Sequence, residues 1–145
     1  MLKGISKILS PELLKILMEM GHTDEIVISD GNFPAGTYSQ RLVRLDGHNV
    51  PEVLEAILKL FPLDTYVEKP VALMEVVKGD PIVPTIWEEY RKIVKNSHDD
   101  FTDFEYMDKW DFYERSKKAY AVVVTGESAL YANILIKKGV VTEQS

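Results

Sequence analysis

A histidine and an aspartate bracket the first strand-like run of this chain. His22 stands just before Glu25-Ile-Val-Ile-Ser29, and Asp30 just after it. Imidazole has the unperturbed pKa nearest neutrality, so it can give or take a proton. A strand of five or six residues spans about 17–20 Å, however, so the two side chains meet only if the chain turns back. Taken singly, each also has a plain structural reading. His22 follows a helix end and can be a loop histidine, and Asp30 before Gly31 can form a turn. Other polar and aromatic positions are equally two-sided. Tyr113 fits an amphipathic helix with its ring in the core. Asn133 fits the start of a strand, yet its amide can donate and accept at once. Asp64 follows the helix-ending Pro62 and suits a turn, and Met74 lies in an apolar run that reads as core.

Several other chemistries are excluded. His22, His48 and His98 share no metal-ligand spacing, so no zinc site is expected. The chain has no cysteine, which removes disulfides and thiol catalysis. Gly126-Glu-Ser128-Ala-Leu130 lacks the closing glycine of a nucleophile elbow, and no glycine-rich phosphate cradle is present. The formal net charge is −6, with no basic stripe, so nucleic acid and anionic membrane are not expected partners. No apolar run approaches signal-peptide or membrane-span length, and a cytoplasmic protein is the simplest expectation.

The elements that must position these residues alternate. Ser10-Pro11-Glu12 starts a helix with Leu13, Leu14, Leu17 and Met18 at helical spacing, and Gly21 is expected to supply a left-handed stop. A second helix is predicted over 51–61 and a third over 85–96, the latter supported by a Glu88–Lys92 pair. A charged loop is predicted over 95–103 and a short helix over 111–118. Strands are predicted over 25–29, 71–77, 104–107, 120–125 and 133–137. This pattern means α/β, a layered sheet with helices packed against it. At 145 residues, with 46% hydrophobic and 28% charged content, a single domain over 1–145 is expected.

Two blocks narrow the reading. One is Met20-Gly-His22-Thr-Asp-Glu25 with Ser29-Asp30 and Asn32-Phe-Pro-Ala35. The other runs from Asp111-Phe-Tyr-Glu-Arg115 through Thr125-Gly-Glu127 to Ala129-Leu-Tyr-Ala-Asn133. Together they resemble the L-fucose mutarotase family, relatives of the D-ribose pyranases, in one register from Ser10 almost to the C-terminus. Pro84-Thr-Ile-Trp87-Glu-Glu-Tyr90 is nearer the animal branch.

The resemblance implies an isomerase that interconverts the α and β anomers of L-fucose, with no metal or cofactor. His22 would be the proton donor, with Tyr113 assisting. Asp30, Asp64, Tyr131 and Asn133 would hold hydroxyls, and Met74 would meet the 6-deoxy methyl group. It also implies a ring-like homo-oligomer, often a decamer, with sites at subunit boundaries. Two positions depart from the family pattern. Gly36-Thr37 stands where bacterial members often carry a second histidine, and Lys109 stands nearest the place of a common arginine. Lys and Arg grip hydroxyl pairs differently, which bears on sugar preference. Pyranose–furanose interconversion of D-ribose is the alternative reaction, and a non-catalytic sugar-binding module the alternative class.

Overall fold

The apolar residues of the first strand-like run point alternately to two sides, and both sides are covered. In the computed structural model, which describes residues 1–143, Ile26 and Ile28 face one packed cluster and Val27 the other. A strand buried on both faces reads as a continuous hydrophobic run rather than an alternating one. The chain order is α1 (Pro11–Glu19), β1 (Glu25–Ser29), β2 (Leu42–Leu45), α2 (Val50–Leu58), β3 (Val71–Met74), α3 (Ile86–Ser97), β4 (Glu105–Met107), α4 (Lys109–Lys118), β5 (Ala121–Thr125) and β6 (Ile134–Lys137). The six strands form one sheet in the order β2-β5-β1-β6-β3-β4.

Helices α1, α2 and α3 pack on one face of the sheet, against Ile26, Ile28, Val123, Ile134 and Ile136. The other face carries Phe112 of α4 with Val27, Val122, Val124 and Leu135. The α/β layered architecture is therefore as expected. Strand β6 runs antiparallel to β1 and β3, whereas β1–β5, β2–β5 and β3–β4 are parallel. The entry to β6 thus lies at the same edge of the sheet as the carboxyl ends of β1 and β3.

Local signals explain most boundaries. The Ser10 hydroxyl accepts from the Leu13 N–H, and Pro11 occupies the first turn of α1. Asn49 and Glu52 form a reciprocal capping box that starts α2 at Val50. Asp108 accepts from the Asp111 N–H and starts α4 two residues before the predicted Asp111. Other expectations are corrected. Gly21 does not adopt the left-handed conformation; Thr23 does, with φ 76°, held by its N–H bond to the Lys138 carbonyl. Glu88 pairs with Arg91 rather than Lys92. The 95–103 stretch is not simply exposed loop, because α3 runs on to Ser97 and Phe101 is buried in the core.

Candidate active site

Topology sorts the eight candidate residues into two groups. Asp30 follows β1, Met74 ends β3, Lys109 and Tyr113 lie on the helix that follows β4, and Tyr131 and Asn133 precede β6. All six line one cleft of about 210 Å³ at the carboxyl ends of the parallel strands. That edge is where ligands of α/β sheets generally bind. The volume is below the roughly 300–1,000 Å³ of drug-sized sites, on the scale of one sugar ring. A wider depression of about 660 Å³ lies between α2 and α3. It gathers none of the candidate residues.

The polar groups of the cleft are oriented before any ligand arrives. The Asn133 amide oxygen accepts the Asp30 N–H at 2.9 Å, which leaves its NH2 as the part free for a hydroxyl. One oxygen of Asp30 accepts the Asn32 N–H at 2.9 Å. Burial pushes the Asp30 carboxyl up, with the N–H groups of Asn32 and Phe33 opposing and Glu127 adding to the rise. Tyr113 packs edge-on to Phe33 and Trp110, with Tyr38 tilted against it. Its phenol is pushed up by burial first and by the charge of Asp30 second, so it stays neutral at physiological pH. Lys109 holds its ammonium over the Trp110 and Tyr113 rings, at 5.3 and 5.7 Å from their centres.

Tyr131 sits in the left-handed region at φ 58°, which costs a non-glycine residue about 1–3 kcal/mol. Helix α3 holds that backbone in place. The Trp87 indole N–H donates to the Tyr131 carbonyl at 2.7 Å, and the Tyr90 hydroxyl donates to the Ala132 carbonyl at 2.6 Å. Helix α4, which carries Lys109 and Tyr113, is tied down by Arg115. That guanidinium grips Glu25 at the start of β1 through two bonds and Glu105 of β4 through two more, at 3.0 Å each.

His22 and Asp64 are not in this cleft. They meet at the opposite end of the sheet, where β6 finishes. The Asp64 N–H donates to the Lys137 carbonyl, and Leu63 bridges to Lys138. His22 Nε2 lies 3.0 Å from Asp64 Oδ1, and its ring rests on Tyr66 with centroids 5.2 Å apart. Burial pushes the Asp64 carboxyl up, but the Tyr66 N–H, the His22 ring and the Lys137 charge together outweigh that and hold it below its ordinary value. Its other oxygen, Oδ2, is buried with no hydrogen-bond partner among the described residues. An unpaired buried acceptor is costly.

The cleft also contains residues that the sequence did not single out as site positions: Asn32, Phe33, Val77, Asp80 and Leu130. Asn32 and Phe33 fall inside one of the motif blocks and could have been taken from it. Asp80 follows Gly79 and precedes Pro81, where a turn is the obvious reading. The remaining histidines have local roles: His48 pairs with Glu52 at 3.0 Å, and His98 ends α3.

The model of the RbsD / FucU transport protein family matches residues 3–141. The chain belongs to this family. It is 49% identical over 140 residues to an L-fucose mutarotase of Histophilus somni, covering 97% of both chains. It is 48% identical over 145 residues to the human fucose mutarotase, covering 96% of this chain and 94% of that one. Among solved structures, it is similar to a Streptococcus pneumoniae fucose mutarotase in complex with L-fucose. That likeness has a TM-score of 0.91 and 53% identity, covering 97% of this chain and all of the other.

Proposed function

We propose that this RbsD / FucU family member is an L-fucose mutarotase, with the six-residue cleft and the His22–Asp64 pair as the two halves of its site. The carrying observation is the convergence of Asp30, Lys109, Tyr113, Tyr131 and Asn133 around the apolar Met74 in a cleft of one-sugar size. The likeness to fucose mutarotases over nearly the whole chain supports L-fucose as the sugar.

The reaction opens and recloses the ring. One group protonates the ring oxygen as the bond from that oxygen to the anomeric carbon breaks. A second removes the anomeric hydroxyl proton to leave an open-chain aldehyde. The carbonyl turns, and the roles reverse as the ring closes on its other face. In this reading His22 is the acid–base group. Asp64 fixes which ring nitrogen carries its proton, as carboxylate partners of catalytic histidines do. Tyr113 assists as a neutral phenol. Asp30, Asp64, Tyr131, Asn133 and Lys109 hold hydroxyls, and Met74 receives the 6-deoxy methyl group.

Strand β1 separates the halves by about 17 Å within one chain, too far for one monosaccharide to touch both. We therefore place a neighbouring copy's His22 and Asp64 over the cleft, in a ring-like homo-oligomer, a decamer by family analogy. Exposed Tyr66 beside His22, and exposed Trp110 and Leu130 beside the cleft, supply apolar surface at both ends for that contact. A cytoplasmic location belongs to the same reading. Cell fractionation checks it.

Saturation-transfer proton NMR on L-fucose tests the function, with D-ribose and D-galactose in parallel. Protein-dependent transfer between the α and β signals of fucose, lost in His22→Ala, is the expected result. No transfer for any sugar would leave a binding module. Met74→Lys should erode the preference for fucose over galactose, and an unchanged preference would remove Met74 from the methyl pocket.

A further inference from the structure

The cleft residue with the least sequence signal makes one of the shortest polar contacts in the site. Asp80 Oδ2 lies 2.5 Å from the Tyr131 hydroxyl, in the range of a charge-assisted bond between a hydroxyl and a carboxylate. The loop carrying Asp80 is shaped for this contact. The Asp80 N–H closes a turn on the Val77 carbonyl at 3.0 Å, and Gly79 takes φ +92° within it. The Ile82 N–H holds the other carboxylate oxygen, Oδ1, at 3.1 Å. The Val77 N–H also donates to the Tyr131 oxygen, at 3.3 Å.

A phenol has one proton to donate and two lone pairs with which to accept. Here the proton is directed to Asp80, and Val77 takes one lone pair. What Tyr131 can offer into the cleft is its remaining lone pair, made more basic by the carboxylate behind it. Resting on the sugar-isomerase reading above, we propose that Asp80 is a positioning residue that turns Tyr131 into an acceptor-only contact for a substrate hydroxyl. Tyr131 then cannot protonate the ring oxygen. It selects sugars that present a hydroxyl, rather than a ring or carbonyl oxygen, at that position. The direction of the Tyr131 titration agrees: its phenol is pushed up, and the hydrogen bond to Asp80 is the largest cause.

Two measurements test this. In protein carrying tyrosine labelled with carbon-13 at Cζ, the Tyr131 signal is identified by its loss in Tyr131→Phe. It should titrate above the ordinary tyrosine range and move down in Asp80→Ala. A double-mutant cycle on L-fucose exchange follows. Asp80→Ala and Tyr131→Phe should each lower kcat/KM about tenfold, mainly through KM, and the double variant should lose no more than either single one. An unmoved Tyr131 titration would overturn the assignment. So would a loss from Asp80→Ala that persists in the Tyr131→Phe background, because it would trace to the Ile82 turn. An unaltered protein that exchanges no sugar would count against the proposed function instead, and the titration would still decide the Asp80 contact.

Discussion

The two ends of the sheet are built on different terms. At the cleft end, the polar groups described above are already committed. The Asn133 oxygen is engaged by Asp30, Asp30 by Asn32, and the Tyr131 phenol by Asp80 and Val77. Two helices hold that end from opposite faces of the sheet. At the other end, His22 and Asp64 touch each other, but His22 remains part exposed and Asp64 Oδ2 is buried without a partner among the described residues. One end is a preorganised polar cleft, and the other is a part-exposed histidine held by a buried carboxylate. Preorganisation suits recognition, because little ordering is then required on binding. A part-exposed imidazole suits a group that must exchange a proton during turnover.

The sharpest way to break this comparison is complementation. His22→Ala and Asn133→Ala should each abolish exchange alone, one from each end. Unfolding them together and refolding as a mixture should restore activity, because some neighbours then bring an intact pair to an intact cleft. No recovery, with the oligomer reassembled, would mean that each site is built within one chain.

Asp30→Asn separates recognition from stability. The folded Asp30 pKa is raised, so the native state holds its proton more tightly than the unfolded chain. Ionised Asp30 therefore lowers stability above the ordinary carboxylate pKa, and this cost vanishes as pH falls below it. The variant should lose L-fucose affinity by at least tenfold while melting higher than the unaltered protein at pH 7. The melting difference should close toward pH 3. A difference that grows on acidification would contradict the sign.

Gly139→Ala probes the other end. An added Cβ would lie 2.5 Å from the Leu63 carbonyl oxygen and 2.9 Å from the Asp64 Cα. Relief requires the Leu63–Asp64 backbone to move. Stability should fall by about 1–3 kcal/mol, and kcat should drop more than fucose affinity, since His22 loses its partner. Calorimetry and titration of the sugar separate the two.

The mildest test is Trp87→Phe. It removes the indole donor to the Tyr131 carbonyl at a cost of about 1 kcal/mol and frees Tyr131 to leave its left-handed conformation. Fucose affinity should fall a few-fold, with kcat less changed.

Much of this fold was legible because its signals are local. Ser10-Pro11 marks one helix, and the uninterrupted apolar runs of β1, β5 and β6 mark strands buried on both faces. Strand β2 was missed. It has four residues at the sheet edge, Val43 alone is fully buried, and Arg44 is exposed, so it carries too little periodicity to register. Strand β3 ends at Met74 rather than Val77, because the chain turns there to bring Val77 and Asp80 over Tyr131. The candidate site was legible in part: five of its eight positions fall within the motif blocks, whereas Asp64, Met74 and Lys109 lie outside them. Its division was not. His22 and Asp64 are 42 positions apart, and the bonds of Thr23, Leu63 and Asp64 to the end of β6 bring them together. Asp80 was hidden because its partner lies 51 positions away, while Gly and Pro on either side imitate an ordinary turn.

Strand β6 ties the two ends of the sheet to one register. Asn133 at its entry meets Asp30, and the Lys137 and Lys138 carbonyls at its exit hold Asp64 and Thr23. It acts as a ruler that sets the span between the cleft and the His22–Asp64 pair. A slip of one residue in β6 would turn each of its side chains to the opposite face of the sheet, so both ends would fall out of step at once.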